Sequence, residues 1–248
     1  MQKWLLFKLS SYAFNVKTDT FTYHARFQKA DVKLMNIIVS VKGIIPACYM
    51  VCAHYDTRPW ADRDPNPGNR LKPIPGANDG ASGVAVLLEL ARLFHLKKPY
   101  YSVDLVFFDG EDFGQSGLDS FCIGSGHYAT SLKPGAYKGS ILLDMVGDKN
   151  LEIPWEGYSF DNAPELIHSI WGFAEKMNIK AFVSRKGYYI FDDHVPLIKR
   201  GIPAVDIIDF DYKYWHTLQD TPDKCSPGSL ESVGCVVTEF LYGGAAEK

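Results

Sequence analysis

The sequence predicts an α/β fold, a central and largely parallel β-sheet with helices on both faces. Three observations predict it. A chain of 248 residues suits one large α/β domain, read here as residues 1–248. Strand-like and helix-like runs alternate along it in βαβ order. Charged residues that follow apolar runs collect at the carboxyl ends of the predicted strands, where sheets of this kind bind ligands.

Taken in order, MQKWLLFKLSSYAF (1–14) is too short and too interrupted for a signal peptide. It reads as an amphipathic helix with Trp4, Leu5, Phe7 and Leu9 as its apolar positions. NIIVSVKG (36–43) and ACYMVCAHYD (47–56) read as strands, rich in Val, Ile and aromatics. Residues 57–80 form a long loop dense in Pro, Gly, Asp and Asn. ASGVAVLLELARLF (81–94) is a helix apolar nearly all round, and is therefore expected to be buried. SVDLVFFDG (102–110) and GSILLDMVG (139–147) are strands, and NAPELIHSIWGFAEKMN (162–178) is an amphipathic helix. DDHVPLIKRG (192–201) is a short helix stopped by Gly201, IPAVDIID (202–209) a strand, and residues 226–243 a closing helix.

Hydrophobic residues make up 46% of the chain and charged ones 22%, enough to build a sizeable core. The formal net charge of −3 points to neither nucleic acid nor an anionic membrane. No apolar run reaches the roughly 18 residues a membrane span needs. The five cysteines match no CxxC metal site and read as small buried thiols; a Cys225–Cys235 bridge is a further option. A monomer is the default expectation.

FFDGED (107–112) sets three acids, Asp109, Glu111 and Asp112, directly after a buried strand. Carboxylates that close repel, and burying them unpaired is costly. His54 and Asp56 end another strand, Asp144 lies in LLDMVG, Asp79 precedes the buried helix, and His216 follows the last strand. Each has an ordinary reading alone: a satisfied histidine at a strand end, a helix cap at Asp79, a core or surface histidine at His216. Together, two histidines and several carboxylates at one sheet edge match the donor set of a zinc site. A dication would hold Asp112 ionised beside Glu111. Calcium or magnesium is the alternative, and two histidines argue against it. Asp112 is then free to bind metal while Glu111 faces substrate as a general acid or base. His54 and Asp56, two apart, share a face, so Asp56 could orient the imidazole. GSGH (124–127) lacks the G-x-S-x-G frame of a serine nucleophile, and GANDGASG lacks the GK[ST] ending of a phosphate loop.

HYDTRP, GANDGASGVAVLLELAR, FFDGED, LLDMVGD and WHTLQDT occur in an order that resembles the M28 family of zinc exopeptidases, over roughly residues 36–243. Within it, WHT, DDHVPLIKRGIPAV and LLDMVGDKNLEIP resemble the glutaminyl cyclases. The resemblance implies a three-layer α/β/α sandwich around a mixed, mostly parallel sheet. It implies one Zn²⁺ on Asp79, Asp112 and His216. A two-zinc aminopeptidase, the alternative, adds His54 and Asp144, with Asp79 bridging. It implies cyclisation of N-terminal glutamine in peptides or proteins to pyroglutamate. Glu111 would move the proton, Asp192 would hydrogen-bond Glu111 or the leaving nitrogen, and Asp144 would tune Glu111. Trp215, Trp60, Phe191 and Tyr212 would wall the substrate pocket, with core packing as the other reading of each. The family further suggests a cis peptide at Asp79–Gly80 and a periplasmic or secreted location.

Three departures stand out. Asp112 replaces a glutamate and is one methylene shorter. Ala53 stands where the animal cyclases have a disulfide cysteine. Asp206 stands where they have a histidine of the active-site network. The segment ahead of the first strand is also shorter than usual. A third possibility is a non-catalytic peptide-binding relative; the intact Glu111 and ligand set argue against it.

Overall fold

The computed structural model describes residues 1–115 and 121–243. Its centre is a six-stranded sheet of β1 (Val16–Ala25), β2 (Ala30–Val41), β3 (Ile45–His54), β4 (Tyr101–Phe108), β5 (Gly139–Asp144) and β8 (Ala204–Ile208), in the order β1-β2-β4-β3-β5-β8. The pairs β4·β3, β3·β5 and β5·β8 are parallel, and β1·β2 and β2·β4 antiparallel. The sheet is thus mixed, with its parallel part together on one side. β6 (Ile153–Trp155) and β7 (Phe182–Lys186) form a separate parallel pair.

Helices cover both faces. α1 (Gln2–Ser10), α2 (Ala81–Leu96), α5 (Pro164–Lys176) and α7 (Pro227–Gly243) share one core with Val51, Leu105, Phe107, Ile141 and Leu143 of the strands. α3 (Ile123–Ser131) and α6 (His194–Lys199) lie over the other, built on Met50, Cys52, Val106, Phe108 and Leu142. Successive residues of one strand point to opposite faces, so β3, β4 and β5 must be apolar throughout to feed both cores. α2 sits so close to the sheet that a Cβ on Gly83 would lie 2.1 Å from the Leu143 carbonyl oxygen.

Several sequence expectations shift. In α1 only Leu5 and Leu9, four apart on one face, are buried; Trp4 and Phe7 are 51% and 74% exposed. α2 is not apolar all round in effect: Ala85, Glu89 and Arg92 face solvent, and Arg92 pairs with Glu89. The strand expected at 36–43 begins at Ala30, as the second arm of a hairpin with β1 in register from Val16↔Val39 to Ala25↔Ala30. All five cysteines are free thiols, so no Cys225–Cys235 bridge forms. Among the described residues no helix is long and apolar enough to cross a membrane.

The parallel strands end at one edge. His54 pairs with Phe108 and Asp144 with Ile208, while Cys52↔Leu142 brings His54 beside Asp144. β3 has β4 on one side and β5 on the other, so the crevice at the end of β3 is a switch point of the sheet.

Candidate active site

The three acids of FFDGED part company. Asp109 turns to neutral donors: its Oδ2 accepts from Gln2 Nε2 (3.0 Å) and from the Met35 amide (2.9 Å), which ties α1 to the end of β4. Gly110, at φ +76°, swings the chain away from the strand. Asp56 grips the turn beyond it, its two carboxylate oxygens accepting from the amides of Glu111 and Asp112 at 3.1 Å each. Asp56 is therefore chiefly an anchor for that turn. Its Oδ1 is 3.6 Å from His54 Nδ1, which makes no hydrogen bond.

Asp79 reaches the same edge from the loop before α2. Asp220 holds that loop: its Oδ2 accepts from the Asp79 amide (3.1 Å), and its Oδ1 from the Asn78 amide (2.9 Å) and the Tyr212 hydroxyl (2.8 Å). Every peptide bond among the described residues is trans, including the Asp79–Gly80 bond expected to be cis. Gly80, at φ +90°, makes the turn instead, and a Cβ there would meet His54 Cε1 at 2.9 Å.

Two trios of ligand atoms result, each mutually within 4.8 Å: His54, Asp79 and Asp144; and Asp79, Asp112 and His216. His54 Nε2 lies 3.2 Å from Asp144 Oδ1 and 3.3 Å from Asp79 Oδ1. His216 Nε2 lies 3.3 Å from Asp112 Oδ2 and 3.6 Å from Asp79 Oδ2. Burial opposes a charged His216 imidazole, yet the carboxylates of Asp112 and Asp62 bring its pKa up to about 9. Asp79 Oδ2 and Asp112 Oδ2 are buried without a hydrogen-bond partner. Carboxylate oxygens in that position are costly unless a cation lies between them. One imidazole and two carboxylates are donors zinc accepts, so the Asp79, Asp112 and His216 set fits that ion.

Glu111 faces the other way. Its Oε1 accepts from Cys122 Sγ at 3.5 Å, and Glu111, Cys122 and Asp192 form a third close trio. Burial, then the charges of Asp112 and Asp192, push the Glu111 carboxyl well above its ordinary range. Asp192 is raised for the same reason, by burial and then by Asp144 and Asp193. Asp144 is hydrogen-bonded to His54.

A cavity of about 400 Å³ opens at these groups, with Glu111, Asp192 and His216 in its lining. Trp215 and Phe191 line it, together with Phe121 and Phe210, which sequence reasoning did not single out. Trp60 and Tyr212 lie outside its lining. Trp60 packs edge-on against Phe27, and Tyr212 is buried against Asp220.

Two buried groups were also missed. Arg58 donates to Asp112 Oδ1 at 2.7 Å. His194 Nε2 lies 3.0 Å from Glu156 Oε2, and Glu156 Oε1 accepts from the Ile190 amide, bracing the segment that carries Asp192. Asp206 is fully buried 3.7 Å from His194 Nδ1, and burial raises its pKa well above the ordinary range. The DDH of the sequence already held this imidazole; its partner Glu156, 38 residues earlier, gave no local signal.

Residues 36–241 match the profile of peptidase family M28. A glutaminyl-peptide cyclotransferase of Boiga dendrophila is 24% identical over 91% of this chain and 69% of its own length. Among solved structures, a glutaminyl cyclase of Bacteroides thetaiotaomicron is 34% identical, covers 97% of this chain and 88% of its own, and superposes with a TM-score of 0.90. A leucine aminopeptidase precursor of the same organism is also 34% identical, with coverage of 97% and 87% and a TM-score of 0.91.

Proposed function

Because the chain belongs to peptidase family M28, we propose that it is a zinc-dependent glutaminyl-peptide cyclotransferase, which closes the N-terminal glutamine of a peptide or protein to pyroglutamate and releases ammonia. A zinc ion on Asp79, Asp112 and His216 would supply a Lewis acid for the γ-carbonyl of that glutamine. The nucleophile is the α-amine of the same residue, so much of the entropy of bringing reactants together is already lost. Glu111 accepts a proton from the amine as the new C–N bond forms. It returns a proton to the amide nitrogen as the old C–N bond breaks and ammonia leaves. Asp192, whose carboxyl group lies within 4.8 Å of that of Glu111 and is itself raised in pKa, would donate a hydrogen bond to Glu111 or hold the leaving nitrogen. Trp215 and Phe191 would exclude water that competes with the amine.

The observation that supports this reading is the Asp192 carboxyl group within 4.8 Å of that of Glu111. In either reaction Glu111 would carry a proton to the leaving nitrogen; a second carboxyl group beside it would hold that nitrogen while the proton is transferred.

The second reading is a two-zinc aminopeptidase. It is favoured by the His54, Asp79 and Asp144 trio, which shares Asp79 with the first set. Zinc content and product analysis separate the two. The zinc-loaded protein is incubated with one peptide beginning in Gln and another beginning in Leu, and products are read by mass spectrometry. Ammonia loss from the Gln peptide, an intact Leu peptide and one zinc per chain are expected. Removal of the leading Leu with two zincs bound would overturn the cyclase reading.

A further inference from the structure

TRPWADRD (57–64) lies in the long loop after β3, where no helix makes Arg58 and Asp62 neighbours. They are nevertheless locked together. Arg58 Nε donates to Asp62 Oδ1 at 2.8 Å and Nη2 donates to Asp62 Oδ2 at 3.0 Å. The other arm of the fork, Nη1, donates to Asp112 Oδ1 (2.7 Å), to the Asp112 carbonyl (3.2 Å) and to the Gly114 carbonyl (3.3 Å). Arg58 is only 3% exposed, with the rings of Trp60 and Phe121 at 5.7 and 5.3 Å. A guanidinium buried that far needs every donor engaged.

The contacts continue past Arg58. Asp62 Oδ1 also lies 3.2 Å from His216 Nδ1, at ion-pair distance though without the alignment of a hydrogen bond. The run is therefore Asp112, Arg58, Asp62, His216. Its two ends meet again at the metal position, where His216 Nε2 faces Asp112 Oδ2. Arg58 occupies one oxygen of Asp112 and leaves the other, Oδ2, unpartnered and facing inward. Asp62 lies on the far nitrogen of His216, which leaves Nε2 as the nitrogen offered to an ion.

We propose that Arg58 and Asp62 are positioning residues for the metal, a clamp that restricts Asp112 to one ligand oxygen and His216 to one ligand nitrogen. The inference rests on reading Asp79, Asp112 and His216 as the zinc ligands, and it deepens that reading by naming what orients two of the three. Carboxylate partners behind a metal-binding histidine fix its tautomer and orientation. Here the same carboxylate is itself fixed by a guanidinium that also grips the neighbouring ligand. Lysine could make one of those contacts at a time, whereas the planar fork makes both.

The test is zinc affinity, measured on the intact chain by competition with a chromophoric chelator, for Arg58→Ala, Arg58→Lys and Asp62→Asn. Arg58→Ala and Asp62→Asn should each weaken zinc binding by about 10–100-fold. The double variant should lose no more than about the larger single loss, because the two act as one unit. Arg58→Lys should recover part of the loss. Circular dichroism checks the fold; a purely structural role would lower thermal stability and leave affinity unchanged. Wild-type affinity in Asp62→Asn, or in a folded Arg58→Ala, overturns the proposal; if Arg58→Ala does not fold, Asp62→Asn decides. No substrate enters the measurement. A chain that fails to cyclise glutamine yet shows these affinity losses would keep the clamp and lose only the proposed activity.

Discussion

Glu111 and Asp112 are neighbours in sequence and have opposite surroundings. Asp112 is held between a guanidinium and an imidazole, while Glu111 is half-buried beside a thiol and another carboxyl group. Glutamine at position 111 keeps the shape and cannot take a proton. Glu111→Gln should lower the rate of ammonia release by about 10²–10⁴-fold with zinc content unchanged; a variant that keeps full turnover would place the base elsewhere. Glu156 allows a prediction about pH. Burial alone would raise its pKa, but the His194 contact and the amide donors hold it at about 2, below its ordinary 4.5. A depressed folded pKa means that stability is present above the unfolded value and is lost as pH falls through the folded one. Stability should therefore drop between about pH 4.5 and 2, by roughly 3 kcal/mol from this group. Denaturant melts of wild type and Glu156→Gln over that range should converge as pH falls.

Element by element, sheet contact is decided by small details. α2 touches β5 through Gly83, and a methyl group there would meet backbone rather than a movable side chain. Gly83→Ala should destabilise by about 1–3 kcal/mol, as overpacking does, and thermal melts would show it; an unchanged midpoint would mean that α2 can slide outward freely. The helix also carries Asp79 just before its start, so its seating on the sheet and the position of a proposed metal ligand are coupled. β1 was invisible to pattern reading because VKTDTFTYHA is polar along most of its length. It is an edge strand, paired among the described residues only with β2, and its exposed face demands no apolar residues.

The molecule as a whole gathers its acids at the ends of four adjacent parallel strands. His54, Asp79, Asp112, Asp144 and His216 come from five separate stretches of chain, and the buried Asp79 and Asp112 oxygens face one another across His216. Such a site should lend the fold stability only when loaded. Zinc at a thousand times its Kd stabilises by about 4 kcal/mol, which for a chain of this size is roughly 10 °C in Tm. Chelation should remove that increment, and zinc should restore it. An unchanged Tm on chelation would mean that no tightly held ion contributes.

The sequence by itself located the edge of the sheet where the histidines and carboxylates gather. Strand ends, the turn residues after them and the histidines and carboxylates placed there are local features, and local features are what periodicity and composition record. It also pointed to Trp215 and Phe191, both of which line the cavity, and to Trp60 and Tyr212, which do not. Only the tertiary structure decided partnership. Arg58 meets Asp112 across 54 positions, Asp220 meets the Asn78 amide across 142, and His194 meets Glu156 across 38. No pattern along the chain encodes such distances. Which carboxylate meets a cation, which a base and which a backbone amide is settled when loops from different strands pack against one another and every buried polar group must find its partner.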